Sequence, residues 1–204
     1  MSFKKDKYKI IKKAIDKKLC KFLFDYFLNR RYLTYILFNH KYINPSETML
    51  GAFGDGQVPE TFSIYSDIVF ETLLQDIKPM MEKETEMKLY PNYSYARLYK
   101  KGDVLKRHKD RMACDISTTL NLGGQPWPIY LDPTGKEGKK GVKIDLNPGD
   151  MLIYRGCDLE HWREPFKGDD CAQVFLHYNK KSKNAVKFDG RPMLGLPVYF
   201  KGKK

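Results

Sequence analysis

Histidine and cysteine are scarce in this chain, with four of each among 204 residues. The cysteines, Cys20, Cys114, Cys157 and Cys171, are scattered and share no metal-like spacing. That argues for free thiols and against a zinc site built on cysteine. No apolar run reaches the roughly 18 residues of a membrane span. The N-terminus, MSFKKDKYKIIKKAIDKK, offers no continuous apolar stretch of a secretory signal. A soluble protein of the cytoplasm is therefore expected, with no membrane partner. Internal repeats and low-complexity tracts are missing too, so a repeat architecture is not expected.

What is present is aromatic and basic. There are 14 Tyr and 12 Phe, and 42% of the residues are hydrophobic, which suits one folded domain rather than disorder. The net charge of +12 sits at the ends of the chain. Residues 1–50 carry +8 (12 Lys/Arg against 4 Asp/Glu), 181–204 carry +6 (7 against 1), and 51–180 carry −2 (18 against 20). Such a distribution fits solubility and weak attraction to polyanions better than a nucleic-acid interface. The run LYKKGDVLKRHKDR is an exception inside the middle segment.

Apolar residues recur at helical spacing through residues 10–38, at Ile11, Ile15, Leu19, Leu23 and Phe27. A second helical stretch runs from about Tyr65 to Met87, with Pro79 expected to kink it or divide it. The Gly- and Pro-rich NPSETMLGAFGDGQVPE between them reads as a loop within 40–60. After Pro91 the pattern changes to short runs bounded by turns: YSYARLY, DVLKRH, ISTTLNL, PIYLD, KIDLN, DMLIYR and AQVFLHYN. These predict an antiparallel sandwich or barrel. The expected organisation is a single domain with helical support over 1–90, a β-sandwich over 91–180 and a basic tail over 181–204.

Within KRHKDRMACD, His108 and Asp110 stand two residues apart among cations. Asp110 could simply neutralise Lys106, Arg107, Lys109 and Arg111. Alternatively, if DVLKRHKD ends a strand, positions two apart share a face, and His108 and Asp110 project together. His161, 51 residues beyond Asp110 and just after the strand-like DMLIYRG, is the candidate third ligand. Two imidazoles and one carboxylate on one side of a metal leave positions open, as in non-haem Fe(II) oxygenases. A tyrosine-bearing strand, YARLYKKGD, puts Tyr99 nine residues before His108.

The pieces YARLYKKGDVLKRHKD, ISTTLNL, KIDLNPGDMLIYRGCDLEHWREP and AQVFLHY, in that order, resemble the prolyl-4-hydroxylase-like branch of the Fe(II)- and 2-oxoglutarate-dependent dioxygenases. The resemblance covers about residues 90–180, and the opening segment AIDKKLCKFLFDYF is compatible with it. It implies an α+β chain whose core is a double-stranded β-helix (jelly-roll, cupin-like) with N-terminal helices packed on it. It also implies iron held by His108, Asp110 and His161, 2-oxoglutarate as co-substrate near Tyr99, and ascorbate as a further cofactor. The implied reaction is hydroxylation of a C–H bond, with succinate and CO2 as co-products.

One position departs from the pattern. The family usually places Lys or Arg about ten residues after the distal histidine, to pair with the far carboxylate of 2-oxoglutarate, and here that residue is Cys171. A buried carboxylate needs a partner. Arg163, two residues past His161, would face the same interior, and the small Cys171 would leave room for its guanidinium. Arg163 is the first candidate anchor, with Tyr99 assisting; Arg97 is second and Arg155 third. The competing reading pairs Arg163 with Glu160 or Glu164 at the surface. Thr119, Asn121, Cys171, Gln173 and His177 are candidates for lining the pocket or filling the sandwich core.

The resemblance favours a prolyl or other peptidyl substrate, with the loop between Asn44 and Glu60 as a lid and the cations of Lys100–Arg111 suited to an acidic partner. Oxidative demethylation of a nucleic-acid base and hydroxylation of a small molecule are alternatives within the enzyme class. A non-catalytic jelly-roll binding module is the alternative outside it.

Overall fold

The computed structural model describes residues 2–44, 46–112, 114–136 and 138–200. Of the segments singled out above, Pro45 in the loop, Ala113 after the His-x-Asp pair, Glu137 in the PTGKEGKKG turn and residues 201–204 of the basic tail lie outside the described residues.

The elements in chain order are α1 (Phe3–Asp6), β1 (Tyr8–Ile11), α2 (Lys17–Asn39), β2 (Ala52–Phe53), β3 (Phe62–Tyr65), α3 (Ile68–Thr85) and β4 (Leu89–Lys100). There follow β5 (Leu105–His108), β6 (Ser117–Gly124), β7 (Ile129–Leu131), β8 (Val142–Ile144), β9 (Met151–Tyr154), β10 (His161–Arg163), β11 (Asp170–Lys180) and a 3-10 turn at Phe188–Gly190. They form two antiparallel sheets. The larger runs β1-β9-β6-β11-β4-β3-β2 and the smaller β5-β10-β7-β8. Among the described residues no helix is long and apolar enough to cross a membrane.

Alternation along the central strands explains how the layers stack. On β11, Ala172, Val174 and Leu176 join the cluster formed with Phe27 of α2 and Phe70, Leu74 and Met81 of α3. The intervening Cys171 and Phe175 pack instead with Tyr99, Leu105, Trp127 and Phe166 between the sheets. The larger sheet is thus buried on both faces, apolar toward the helices and mixed aromatic and polar toward the smaller sheet. His108 on β5 and His161 and Arg163 on β10 belong to the smaller sheet, and Ser117 on β6 and His177 on β11 to the larger.

Two helical expectations need correction. Ile11 belongs to β1, where it pairs with Met151 of β9. The helix begins only after Asp16, whose carboxylate accepts from the backbone N–H of Lys18 and Leu19. The four-residue spacing of Ile11 and Ile15 therefore ran across a strand and a turn. The second helix starts after Asp67, capped in the same way onto Val69, and continues through Pro79 without dividing. Leu74 and Ile77 before the proline and Met81 after it are buried against the sheet. That burial holds the helix together where proline would otherwise break it. The first 90 residues also supply β1, β2 and β3, which extend the larger sheet at both edges.

Candidate metal centre

His161 sits opposite His108 across the β5–β10 pair. Their ring centroids are 4.2 Å apart. Asp110 is not on the strand with His108, as the spacing suggested, but in the loop just after it. Its backbone N–H donates to the Gly156 carbonyl at 2.9 Å, which draws the loop against the turn between β9 and β10. Asp110 Oδ1 then stands 3.8 Å from His108 Nε2 and 3.5 Å from His161 Nε2. One ligand atom from each of the three residues lies within 4.8 Å of the others, a spacing that a single cation would bridge.

The arrangement is oriented from behind. His108 Nδ1 donates to the Lys106 carbonyl at 2.7 Å, and His161 Nδ1 donates to the Leu159 carbonyl at 3.1 Å. Carbonyls only accept, so both rings carry a proton on Nδ1 and turn Nε2 toward Asp110. Two of the neighbouring cations have carboxylate partners elsewhere. Arg107 pairs with Asp132 and Glu160 and lies over the Trp162 ring, while Arg111 pairs with Asp189.

Protonation suits ligation. Burial and the adjacent His161 hold the His108 imidazole below its ordinary range, so it is neutral. Burial alone would raise the Asp110 carboxyl, but His161, His177 and the Ser117 hydroxyl outweigh it and hold it well below the usual carboxylate range. Neutral imidazoles and an ionised carboxylate are the forms that bind a metal.

The three residues line a cavity of about 470 Å³ whose wall includes Tyr93, Tyr95, Arg97, Tyr154, Phe175 and His177. Of the five residues considered for the pocket, His177 lines this cavity. Thr119, Gln173 and Cys171 form a buried layer behind it, linked by hydrogen bonds from Thr119 Oγ1 to Gln173 Oε1 (2.9 Å) and from Gln173 Nε2 to Cys171 Sγ (3.3 Å). Asn121 is committed elsewhere, donating to the Leu146 carbonyl and accepting from the Gly123 N–H. Sequence reasoning missed Tyr154, whose hydroxyl is 3.4 Å from His161 Nε2. It also missed Ser117, whose hydroxyl donates to Asp110 Oδ2 at 2.6 Å. The alternation in ISTTLNL, which puts Ser117 on the same face as Thr119, was the available signal.

The three candidate anchors have different surroundings. Arg155 pairs with Asp115 and Asp158 and is no part of the cavity wall. Arg97 lines the cavity but is neutralised by Asp55, which also accepts from the Tyr95 hydroxyl. Arg163 is 1% exposed. It donates to the Trp127 carbonyl and to Thr119 Oγ1 and lies 5.0 Å over the Trp127 ring. Its Nε has no partner, and no carboxylate among the described residues pairs with it. Burial lowers its pKa, partly offset by Cys171 and Tyr99. Glu160 and Glu164, the surface alternatives, accept instead from Arg107 and from the Trp162 indole. Arg163, like Arg155, is no part of the cavity wall, and it is an enclosed guanidinium with no carboxylate partner among the described residues.

The sequence matches no protein-family model and no curated protein. Similarity lies in the fold. A prolyl-4-hydroxylase from Pseudomonas putida superposes with a TM-score of 0.60 at 13% identity, over 88% of this chain and 96% of the other. HygX from Streptomyces hygroscopicus, solved with nickel, 2-oxoglutarate and hygromycin B bound, gives 0.61 at 12% identity, over 98% and 92%. EctD from S. alaskensis with bound Fe gives 0.61 at 14% identity, over 92% and 77%. The chain has the double-stranded β-helix fold of the Fe(II)/2-oxoglutarate oxygenases.

Proposed function

We propose that this protein is a non-haem Fe(II)- and 2-oxoglutarate-dependent oxygenase. The observation that carries the reading is the joint presence of His108, Asp110 and His161 around one point and of Arg163, buried without a counter-ion, two residues along the same strand. The donor set is the one such iron sites use, two imidazoles and one carboxylate with the remaining positions open. When bound, iron would activate dioxygen as the oxidant and 2-oxoglutarate would supply two electrons, one oxygen atom ending in succinate, released with CO2, and the other in the hydroxylated C–H bond.

The chain's own residues hold and orient. His108, Asp110 and His161 hold the cation. Arg163 takes the far carboxylate of 2-oxoglutarate through its planar fork of donors. Tyr99, buried beside Trp127 and Cys171, walls the same compartment. Phe175, Tyr95 and Tyr154 keep the reacting space poor in water. No side chain is required as acid or base.

A peptidyl substrate, prolyl first, is the reading supported best. The cavity adjoins a second hollow of about 550 Å³, and the two share Gln57 and His108. Together they make an elongated depression bordered by the loop at 55–59. Lys101 and Lys106 line the second hollow and have no ion-pair partner among the described residues, which suits an acidic stretch of chain beside the target residue.

The test is an anaerobic Fe(II) titration with 2-oxoglutarate, following the weak visible charge-transfer band of the chelate, in the wild type and in His108→Ala. A band in the wild type alone supports the class; iron binding with no band points to another co-substrate; no iron binding refutes it. Proline peptides with and without acidic flanks, assayed by succinate release, then test the substrate. A polynucleotide substrate would instead bind with a steep fall as salt rises.

A further inference from the structure

Asp110 has two carboxylate oxygens, and only one of them faces the histidines. Oδ1 is the atom near His108 and His161. Oδ2 accepts the Ser117 hydroxyl at 2.6 Å. Ser117 Oγ is in turn 3.1 Å from His177 Nδ1. A serine hydroxyl has one proton, and an ionised carboxylate can only accept, so that proton points to Asp110. Ser117 Oγ is then an acceptor for the imidazole, which requires the His177 proton on Nδ1. The lone pair of the ring is then on His177 Nε2, and the ring lines the cavity.

The ring itself is tightly held. His177 stacks on Tyr93 with centroids 4.5 Å apart, and Tyr93 stacks on Tyr65 at 5.2 Å. Ser117 and His177 lie on β6 and β11, neighbours in the larger sheet. The far side of Asp110 is closed by Gly156, where any side chain would overlap Oδ2. The carboxylate is therefore gripped at Oδ2 from two directions and presents one oxygen.

We propose that Ser117 and His177 are positioning residues that act through Asp110: Ser117 limits the carboxylate to one-oxygen ligation, and His177 holds Ser117 in the rotamer that does so. The inference rests on the metal-binding reading above. Its chemical consequence is a third open position. Two imidazoles and one oxygen occupy three sites of an octahedron and leave three for a two-atom chelator and one further ligand, whereas a two-oxygen carboxylate would leave two.

The test uses Co(II), whose visible ligand-field spectrum reports coordination number, on the wild type, Ser117→Ala and Ser117→Thr. Ser117→Ala is expected to lose about 10- to 100-fold in Co(II) affinity, the usual effect of removing a group that orients a ligand, and to change the spectrum. Ser117→Thr, which keeps the hydroxyl, is expected to restore both; a merely structural serine would not tie the spectrum to the hydroxyl. Nitrogen-15 NMR of the metal-free wild type is expected to show His177 protonated at Nδ1 and bare at Nε2. Wild-type affinity and spectrum in Ser117→Ala, or a His177 proton on Nε2, would overturn the proposal. Failure of the wild type itself to bind Co(II) would remove the metal-binding reading together with it.

Discussion

Replacing Arg163 with methionine separates an anchor from a structural cation. In the free protein the guanidinium is buried with two hydrogen bonds and, among the described residues, no counter-charge. Exchanging buried charge for apolar volume of similar size is commonly neutral, or stabilising by ~1–4 kcal/mol. Against that stand the two lost hydrogen bonds, ~0.5–1.5 kcal/mol each, and a Trp127 carbonyl left without its donor at a cost of ~1–3 kcal/mol. These oppose one another, so the free variant should keep its stability within about 2 kcal/mol, or about 8 °C in Tm for a chain of this size. Binding of 2-oxoglutarate should suffer far more. Truncating one partner of a buried charge pair costs ~2–5 kcal/mol, which raises Kd at least about 30-fold. The assay is calorimetric titration of 2-oxoglutarate into metal-loaded protein, with pyruvate as the control that lacks the far carboxylate. Wild type should prefer 2-oxoglutarate strongly; Arg163→Met should bind both about equally. An unchanged 2-oxoglutarate affinity, or an equal loss for pyruvate, would refute Arg163 as the anchor and leave Arg97 as the next residue to test.

Gly156→Ala should fold normally but lose metal affinity, because the new methyl would push Asp110 Oδ2 aside; circular dichroism and Co(II) titration check the two halves. Asp55→Ala should free the loop at 52–60 and leave Arg97 buried without its counter-ion, costing about 3 kcal/mol in chemical denaturation and raising proteolysis in the loop. The pH dependence of that latch has a definite sign. Burial alone would raise the Asp55 carboxyl, but Arg97, Tyr95 and the Val58 N–H outweigh it and hold it below its ordinary value. A depressed carboxyl stabilises above its unfolded pKa and loses that contribution as pH falls through the folded one, so loop proteolysis should rise only below about pH 4. Glu71→Ala should destabilise the fold by about 3–5 kcal/mol, since it strips the fully buried Arg191 of its carboxylate at 2.8 Å; a denaturant melt reads this directly.

Much of the site was legible in one dimension because its chemistry is carried by residue types that are scarce here. With four histidines in the chain, an H-x-D pair and a later histidine after a strand leave few combinations. The strands after Pro91 could be read because period-two alternation and Gly/Pro turns are local properties. Arg163 became a candidate from the same alternation, two residues beyond His161. Helix limits were less legible, because Ile11 satisfies the helical spacing and pairs in a sheet all the same.

The amino-acid sequence by itself determined the strand-rich second half and pointed to the two histidines and the aspartate that the fold brings together. Tertiary structure alone decided which nearby charges neutralise one another. Arg97 has its partner in Asp55, 42 positions away, and Arg107 in Glu160, 53 positions away, while Arg163 has no carboxylate partner among the described residues. It also decided that Asp110 reaches the histidines from a loop, held by Gly156 and Ser117, rather than from the strand. The physical reason is the same in each case. Alternation and turn chemistry act between neighbours in the chain, whereas charge pairing and ligand orientation depend on which distant strands the folded sheets bring within a few ångströms.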